Sequence, residues 1–207
     1  MFITLEGVDG SGKSTQARKL EEFLTAKGLE VVLTREPGGT DIAEQIREIL
    51  LNPDNDKMHY ATELMLYAAA RRQHLEELIL PALKRGAWVI CDRFSDSTIA
   101  YQGYGREIPL EKVEEINRIA TEGIKPEVTF IFSLPANVGL ERIKAKRGIG
   151  SLDRLEAEQG DFYKRVARGF EHIATQGEHR IITIDASVSE EEVFNAMLVR
   201  LKDRGMI

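Results

Sequence analysis

Short, wholly apolar runs alternate along this chain with longer stretches in which apolar residues recur at helical spacing. Phe2-Ile3-Thr4-Leu5, Val31-Val32-Leu33, Ala87-Trp88-Val89-Ile90-Cys91, Val128-Thr129-Phe130-Ile131-Phe132 and Ile181-Ile182-Thr183-Ile184 read as strands. None alternates cleanly with polar residues, which predicts a sheet covered on both faces. Leu20, Phe23 and Leu24, then Val113, Ile116 and Ala120, then Phe194, Met197, Leu198 and Leu201 predict helices between them. Lys27-Gly28 closes the first helix with a cation and a glycine, and Ser189 with Glu192 is spaced as a capping box for the last. Repeated strand–helix units imply right-handed crossovers. The expected fold is therefore α/β: a three-layer, open parallel β-sheet of about five strands flanked by helices, with ligands beyond the C-terminal strand ends.

Composition narrows this picture. At 207 residues, without repeat or linker, one domain over residues 1–207 is expected. A single cysteine excludes a disulfide framework and a Cys-built zinc site. No run approaches the roughly 18 apolar residues of a membrane span. A strand beginning at Phe2 leaves no room for a leader, so a cytoplasmic protein is expected. The net charge of −6 argues against a broad face for polymeric nucleic acid, but not against small anions at one local site. One stretch departs from the amphipathic pattern. Arg142, Lys144, Lys146, Arg147 and Arg154 cluster with Gly148 and Gly150, so the segment from Lys146 to Leu152 reads as a mobile, cationic loop between two helices.

The chemistry is concentrated after the strands. Gly7-Val8-Asp9-Gly10-Ser11-Gly12-Lys13-Ser14 matches G-x-x-x-x-G-K-[ST] and stands between a strand and a helix, as a phosphate loop requires. Backbone N–H groups from Gly7 to Thr15 can cradle phosphate, Lys13 can reach the transferring group, and the Ser14 hydroxyl can hold magnesium. No Asn-Lys-x-Asp or Leu-Ser-Gly-Gly-Gln segment is present, which disfavours a GTPase and a transporter ATPase. Arg35-Glu36-Pro37-Gly38-Gly39-Thr40 follows the second strand, and the segment from Asp92-Arg93-Phe94 to Tyr101-Gln102 the third. Arg71 falls inside an apolar stripe of Leu64, Ala68, Leu75 and Leu78, so it either snorkels to water or enters a polar cavity with a partner. Tyr67 lies one turn before it, and an aromatic plane beside a fork of donors suits a nucleobase.

These segments, with Ala69-Ala70-Arg71, Leu152-Asp153-Arg154 and Ile184-Asp185-Ala186, resemble the thymidylate kinase family over essentially the whole chain. The resemblance implies phosphoryl transfer from ATP to dTMP with Mg²⁺, by a homodimer. It assigns base stacking to Tyr67 (Phe in many relatives), base contact to Arg71, and the acceptor monophosphate to Arg93. Ser97 and Thr98 resemble the polar pair near thymine, Gln102 a further contact, and Tyr101 the aromatic that disfavours a 2′-hydroxyl. Asp9 would lie near the acceptor phosphate or its metal. Glu36 is counted with the substrate residues, and Arg35 either faces the acceptor phosphate or pairs with Glu36. Asp92 would bind a magnesium water or cap the next helix. Since Val8, Asp9, Gly10 and Ser11 include no cation, the resemblance implies a lid arginine, Arg147 first and Arg142 second. Another nucleoside monophosphate or deoxynucleoside kinase is the alternative, and a nucleotide-dependent switch is the rival from outside enzymes. His59, His74, His172 and His179 are scattered and suggest no metal site, and Cys91 reads as a small core residue.

Overall fold

The computed structural model describes residues 1–147, 153–156, 158, 160–176 and 179–207. Strands β1 (Phe2–Gly7), β2 (Val31–Arg35), β3 (Trp88–Asp92), β4 (Val128–Ser133) and β5 (Ile181–Asp185) form one parallel sheet in the order β2-β3-β1-β4-β5. β1 is central, with β3 on one side and β4 on the other, so the chain reverses its direction of growth around it. That reversal opens a crevice at the C-terminal end of β1. Leu5 and Arg35 both align with Asp92, which brings the ends of β1, β2 and β3 level.

Burial on both faces holds for the inner strands, where Ile3, Leu5, Val89, Ile90, Phe130 and Phe132 are buried. It fails at the edges. β5 buries Ile182 and Ile184 but exposes Thr183 and Asp185, and Val31 to Leu33 of β2 are only half-buried. An edge strand is covered by fewer neighbours, so an apolar run in sequence does not guarantee two buried faces.

Helices α1 (Lys13–Ala26), α2 (Asp41–Leu51), α3 (Tyr60–His74), α4 (Leu80–Lys84), α5 (Ser95–Thr98), α6 (Leu110–Thr121), α7 (Ala136–Arg147), α8 (Gly160–Thr175) and α9 (Glu190–Asp203) occupy the connections. α1 ends at Lys27 and Gly28 as its sequence predicts, and α9 starts with the complete Ser189–Glu192 capping box. The stripe predicted around Arg71 needs correction. Leu64 and Leu75 are buried, but Ala68 and Leu78 are only half-buried, and Ile79 fills the core position instead. A π-helical turn over Leu75–Ile79 adds a residue to the repeat, which shifts the stripe by one. A second π segment, Ile99–Gly105, follows α5. The cationic stretch begins as the last part of α7 rather than as a loop, and residues 148–152 lie outside the described residues. No helix among the described residues is long and apolar enough to cross a membrane.

Candidate active site

The phosphate loop joins β1 to α1. Its first residue, Gly7, has φ +137°, and a Cβ there would lie 2.7 Å from the Phe132 carbonyl oxygen, so no side chain fits. Lys13 is buried, and its Nζ donates to the carbonyls of Gly7 (3.1 Å) and Val8 (2.9 Å). Burial, and then the Arg93 charge, push its pKa down to about 8 against the pull of Asp92 and Asp9. Ser14 Oγ donates to Asp92 Oδ2 at 2.5 Å. Asp92 therefore faces the phosphate loop and does not cap α5, where Phe94 holds the N-cap position without a side-chain cap.

Arg93 stands immediately beyond β3 at φ +75°, a left-handed conformation that a non-glycine residue rarely adopts. From there Nη1 donates to the Gly7 carbonyl and to Ser97 Oγ, both at 3.0 Å. Nη2 donates to Asp9 Oδ1 at 2.6 Å and to Tyr101 Oη at 3.0 Å. Tyr101 Oη in turn donates to Asp9 Oδ2 at 2.6 Å, although the ring itself belongs to the buried core. Burial alone would raise the pKa of Asp9, but Arg93 and Lys13 outweigh it and hold the carboxylate at about 2. Asp9 is thus a charged member of this network rather than a turn-former. Beneath it lies Glu6, fully buried, accepting from the Phe94 N–H at 2.7 Å and from Ser97 Oγ at 2.5 Å. Burial first, then Asp96, push Glu6 up to about 8.

A second cleft, of about 570 Å³, adjoins this network and is lined by Tyr67, Arg71, Ser97, Thr98, Tyr101 and Gln102 on one side. Arg47, Leu51, Asp153, Leu155 and Glu156 face them. Arg71 does not snorkel, for it is only 2% exposed. Its Nε donates to Glu36 Oε2 (2.7 Å), its Nη1 to Thr98 Oγ1 and Asn117 Oδ1 (both 2.8 Å), and its Nη2 to the Phe94 carbonyl (3.0 Å). A guanidinium carries five N–H groups. Four are committed to the protein, which leaves one Nη2 hydrogen for a ligand. Tyr67 lines the same cleft, where burial raises its hydroxyl pKa and keeps it neutral. Gln102 Nε2 donates to Glu63 Oε1 at 2.9 Å, so its carbonyl end is free of that bond.

One expectation is corrected here. Arg35 does not pair with Glu36; it pairs with Glu44 at 3.0 Å, while Glu36 turns inward to Arg71 and His74. His74, to which the sequence assigns no role, stands behind the same site. It is fully buried, with Nδ1 3.2 Å from Glu36 Oε1 and Nε2 2.7 Å from Thr34 Oγ1. Glu36, His74 and Cys91 present ligand atoms within 4.8 Å of one another, but each already has a protein partner, Cys91 Sγ donating to the Arg93 carbonyl at 3.0 Å. Together they form a hydrogen-bonded support behind Arg71.

The two clefts share Asp9, Glu36, Arg47, Arg93, Asp153 and Glu156. The larger one, about 1120 Å³, runs along the phosphate loop past Gly10, Gly12, Lys13, Ser14 and Thr15, and is lined as well by Arg18, Arg35 and Arg142. Arg142 Nη1 reaches the carbonyls of Ala186 (3.3 Å) and Gly10 (3.5 Å). Arg147 ends α7, and its side chain lies outside the described residues. Sequence reasoning missed Arg47, Asp153 and Glu156. For Arg47 the signal was there: it follows buried Ala43 by four positions and precedes buried Leu50 by three, the same arginine-in-a-stripe pattern as Arg71.

A phosphate loop on the central strand, joined through Asp9 and Arg93 to a second cleft lined by Tyr67 and Arg71, fits a nucleotide kinase of the phosphate-loop class. The thymidylate kinase family model matches residues 5–197. A thymidylate kinase of Exiguobacterium sp. (strain ATCC BAA-1283 / AT1b) is 47% identical over 210 residues, covering 100% of this chain and 98% of that one. One from Geobacillus sp. (strain WCH70) is 47% identical over 203 residues, covering 98% and 96%. Among solved structures, thymidylate kinase from Ehrlichia chaffeensis superposes with a TM-score of 0.77 at 36% identity, covering 98% of each chain. The chain belongs to the thymidylate kinase family.

Proposed function

We propose that this kinase transfers the γ-phosphoryl group of ATP to dTMP, giving dTDP and ADP in the cytoplasmic supply of DNA precursors. The observation that carries the reading is the Arg71 cage, which leaves one N–H for a ring carbonyl while the Asp9–Arg93 pair stands toward the phosphate loop. Tyr67 stacks on the base, and Ser97, Thr98 and Gln102 complete its polar edge. Tyr101, fixed by Asp9 and Arg93, packs against the sugar and disfavours a 2′-hydroxyl.

In the transfer an acceptor phosphate oxygen bonds to the γ-phosphorus in line as the bond to the β,γ-bridging oxygen breaks. The attacking phosphate is ionised near neutral pH, so positioning and charge stabilisation replace a general base. Arg93, with Asp9, Arg35 and Glu36 around it, orients the acceptor. Lys13 and an arginine of the lid over about 142–154, Arg147 or Arg142, meet the charge on the moving group. Ser14 and Asp92 fit a hard cation, since both offer oxygen at the edge of the phosphate cleft, and they would hold Mg²⁺ directly and through water. Mg²⁺ supplies charge neutralisation at the β- and γ-phosphates.

A homodimer completes the proposal. Ile42 and Ile49 of α2, Met65 of α3 and Ile119 of α6 are exposed on helices that pack side by side. A panel of nucleoside monophosphates in one coupled assay tests the activity: dTMP should have the highest kcat/KM. Preference for AMP, GMP or free thymidine would refute the reading.

A further inference from the structure

Gly139 lies inside α7 and is buried, at a position where alanine would favour the helix more. Its surroundings supply a reason for glycine. A Cβ on Gly139 would stand 2.3 Å from the Asp9 carbonyl oxygen, and a Cβ on Gly10 would stand 2.3 Å from the Gly139 carbonyl oxygen. The two backbones touch directly. Gly10 needs glycine in any case, because its φ is +76°. Gly139 has a helical backbone that alanine adopts readily, so close approach is the property its missing side chain provides. Three residues on, Arg142 reaches the Gly10 and Ala186 carbonyls. The helix that leads into the lid is thus attached to the phosphate loop twice, by backbone at Gly139 and by side chain at Arg142.

We infer that Gly139 is a positioning residue for phosphoryl transfer: it seats α7 on the Gly10 peptide, and that seat sets where the arginines of α7 stand relative to the moving phosphoryl group. Gly139 touches neither nucleotide itself, and the inference rests on the lid-arginine reading above. Restoring an ordinary contact, 3.4 Å or more, from 2.3 Å requires the two backbones to part by about 1 Å. A displacement of that size at a catalytic group costs on the order of 100-fold in rate. Among its described residues α7 puts none into the base cleft, and Asp9 meets Gly139 through its carbonyl while its carboxylate stays on Arg93 and Tyr101, so dTMP binding should follow only weakly.

The test compares G139A with R142A, R147A, the R142A/R147A double and the triple variant in steady-state kinetics and thermal melting. G139A should lower kcat by about 10- to 100-fold, leave KM for dTMP within about twofold, and melt no lower than the parent. Added to R142A/R147A it should cost less than about twofold further, because it acts through those arginines. An unchanged kcat in G139A, while an arginine variant is impaired, overturns the inference and leaves the lid reading intact. If neither arginine variant lowers kcat, the lid reading fails and the inference with it. A lowered melting temperature with weakened dTMP binding in G139A would assign Gly139 a packing role only, and overturns it as well.

Discussion

Lys13 is buried with Arg93 nearby, and its charge is consequently weakly held. Its pKa is lowered from 10.5 to about 8, so the cation is present below that pH and lost above it. The expected outcome is a kcat/KM for ATP that falls as pH rises through about 8, since this parameter reports the free enzyme. Bound phosphates stabilise the cation, so the limb in kcat lies at higher pH. Glu6 also titrates near 8, and E6Q removes it; the limb in kcat/KM should survive in E6Q, and its disappearance would transfer the titration to Glu6. Stability carries the Glu6 signature. Its folded pKa is raised above 4.5, so its contribution is complete below 4.5 and lost as pH rises through about 8. Residue types and spacing made Lys13, Arg71 and Arg93 legible. They did not reveal Glu6 or His74, because a buried polar residue announces itself only through partners distant in sequence: Phe94 and Ser97 for Glu6, Thr34 and Glu36 for His74.

Helices and strands were readable where a local rule governs them. The α9 capping box is such a case, with Ser189 Oγ accepting from the Glu192 N–H and Glu192 Oε2 accepting from the Ser189 N–H. Ser189→Ala should lower unfolding free energy by about 1 kcal/mol in urea titration, with kcat unchanged, because α9 lines neither nucleotide cleft. The π turn at Leu75–Ile79 was not readable. One extra residue per turn leaves the apolar composition unchanged and only moves its phase, from Leu78 to Ile79. Likewise the runs in β2 and β5 look like those of central strands, and only sheet order makes them edges.

Across the whole molecule, a net charge of −6 coexists with a cleft lined by Lys13, Arg18, Arg35, Arg47, Arg93 and Arg142. The average hides the site: six cations outnumber the five carboxylates of the same cleft, Asp9, Glu36, Asp92, Asp153 and Glu156, although the chain as a whole is acidic. The proposed dimer is also a property of this scale. Ile49→Asp with Met65→Asp should convert a dimer into a monomer in sedimentation velocity, and a wild-type chain that sediments as a monomer at micromolar concentration would reject the dimer. The overall architecture was legible because five apolar runs separated by helices permit few arrangements, whereas which surface meets a second copy depends on side chains exposed on three different helices.

The level alignment of Leu5, Arg35 and Asp92 has a consequence for how such a kinase can change. In the proposed transfer, the spacing between donor and acceptor phosphates is inherited from backbone hydrogen bonds of the sheet, which act as a ruler that side-chain substitution does not redraw. The residues proposed to read the base stand elsewhere, on α3, α5 and the π segment after it. Base preference can therefore drift by exchange of side chains there while the transfer distance is conserved. A one-residue insertion in β3 would do the reverse, turning Asp92 to the other face and destroying transfer whatever base is bound.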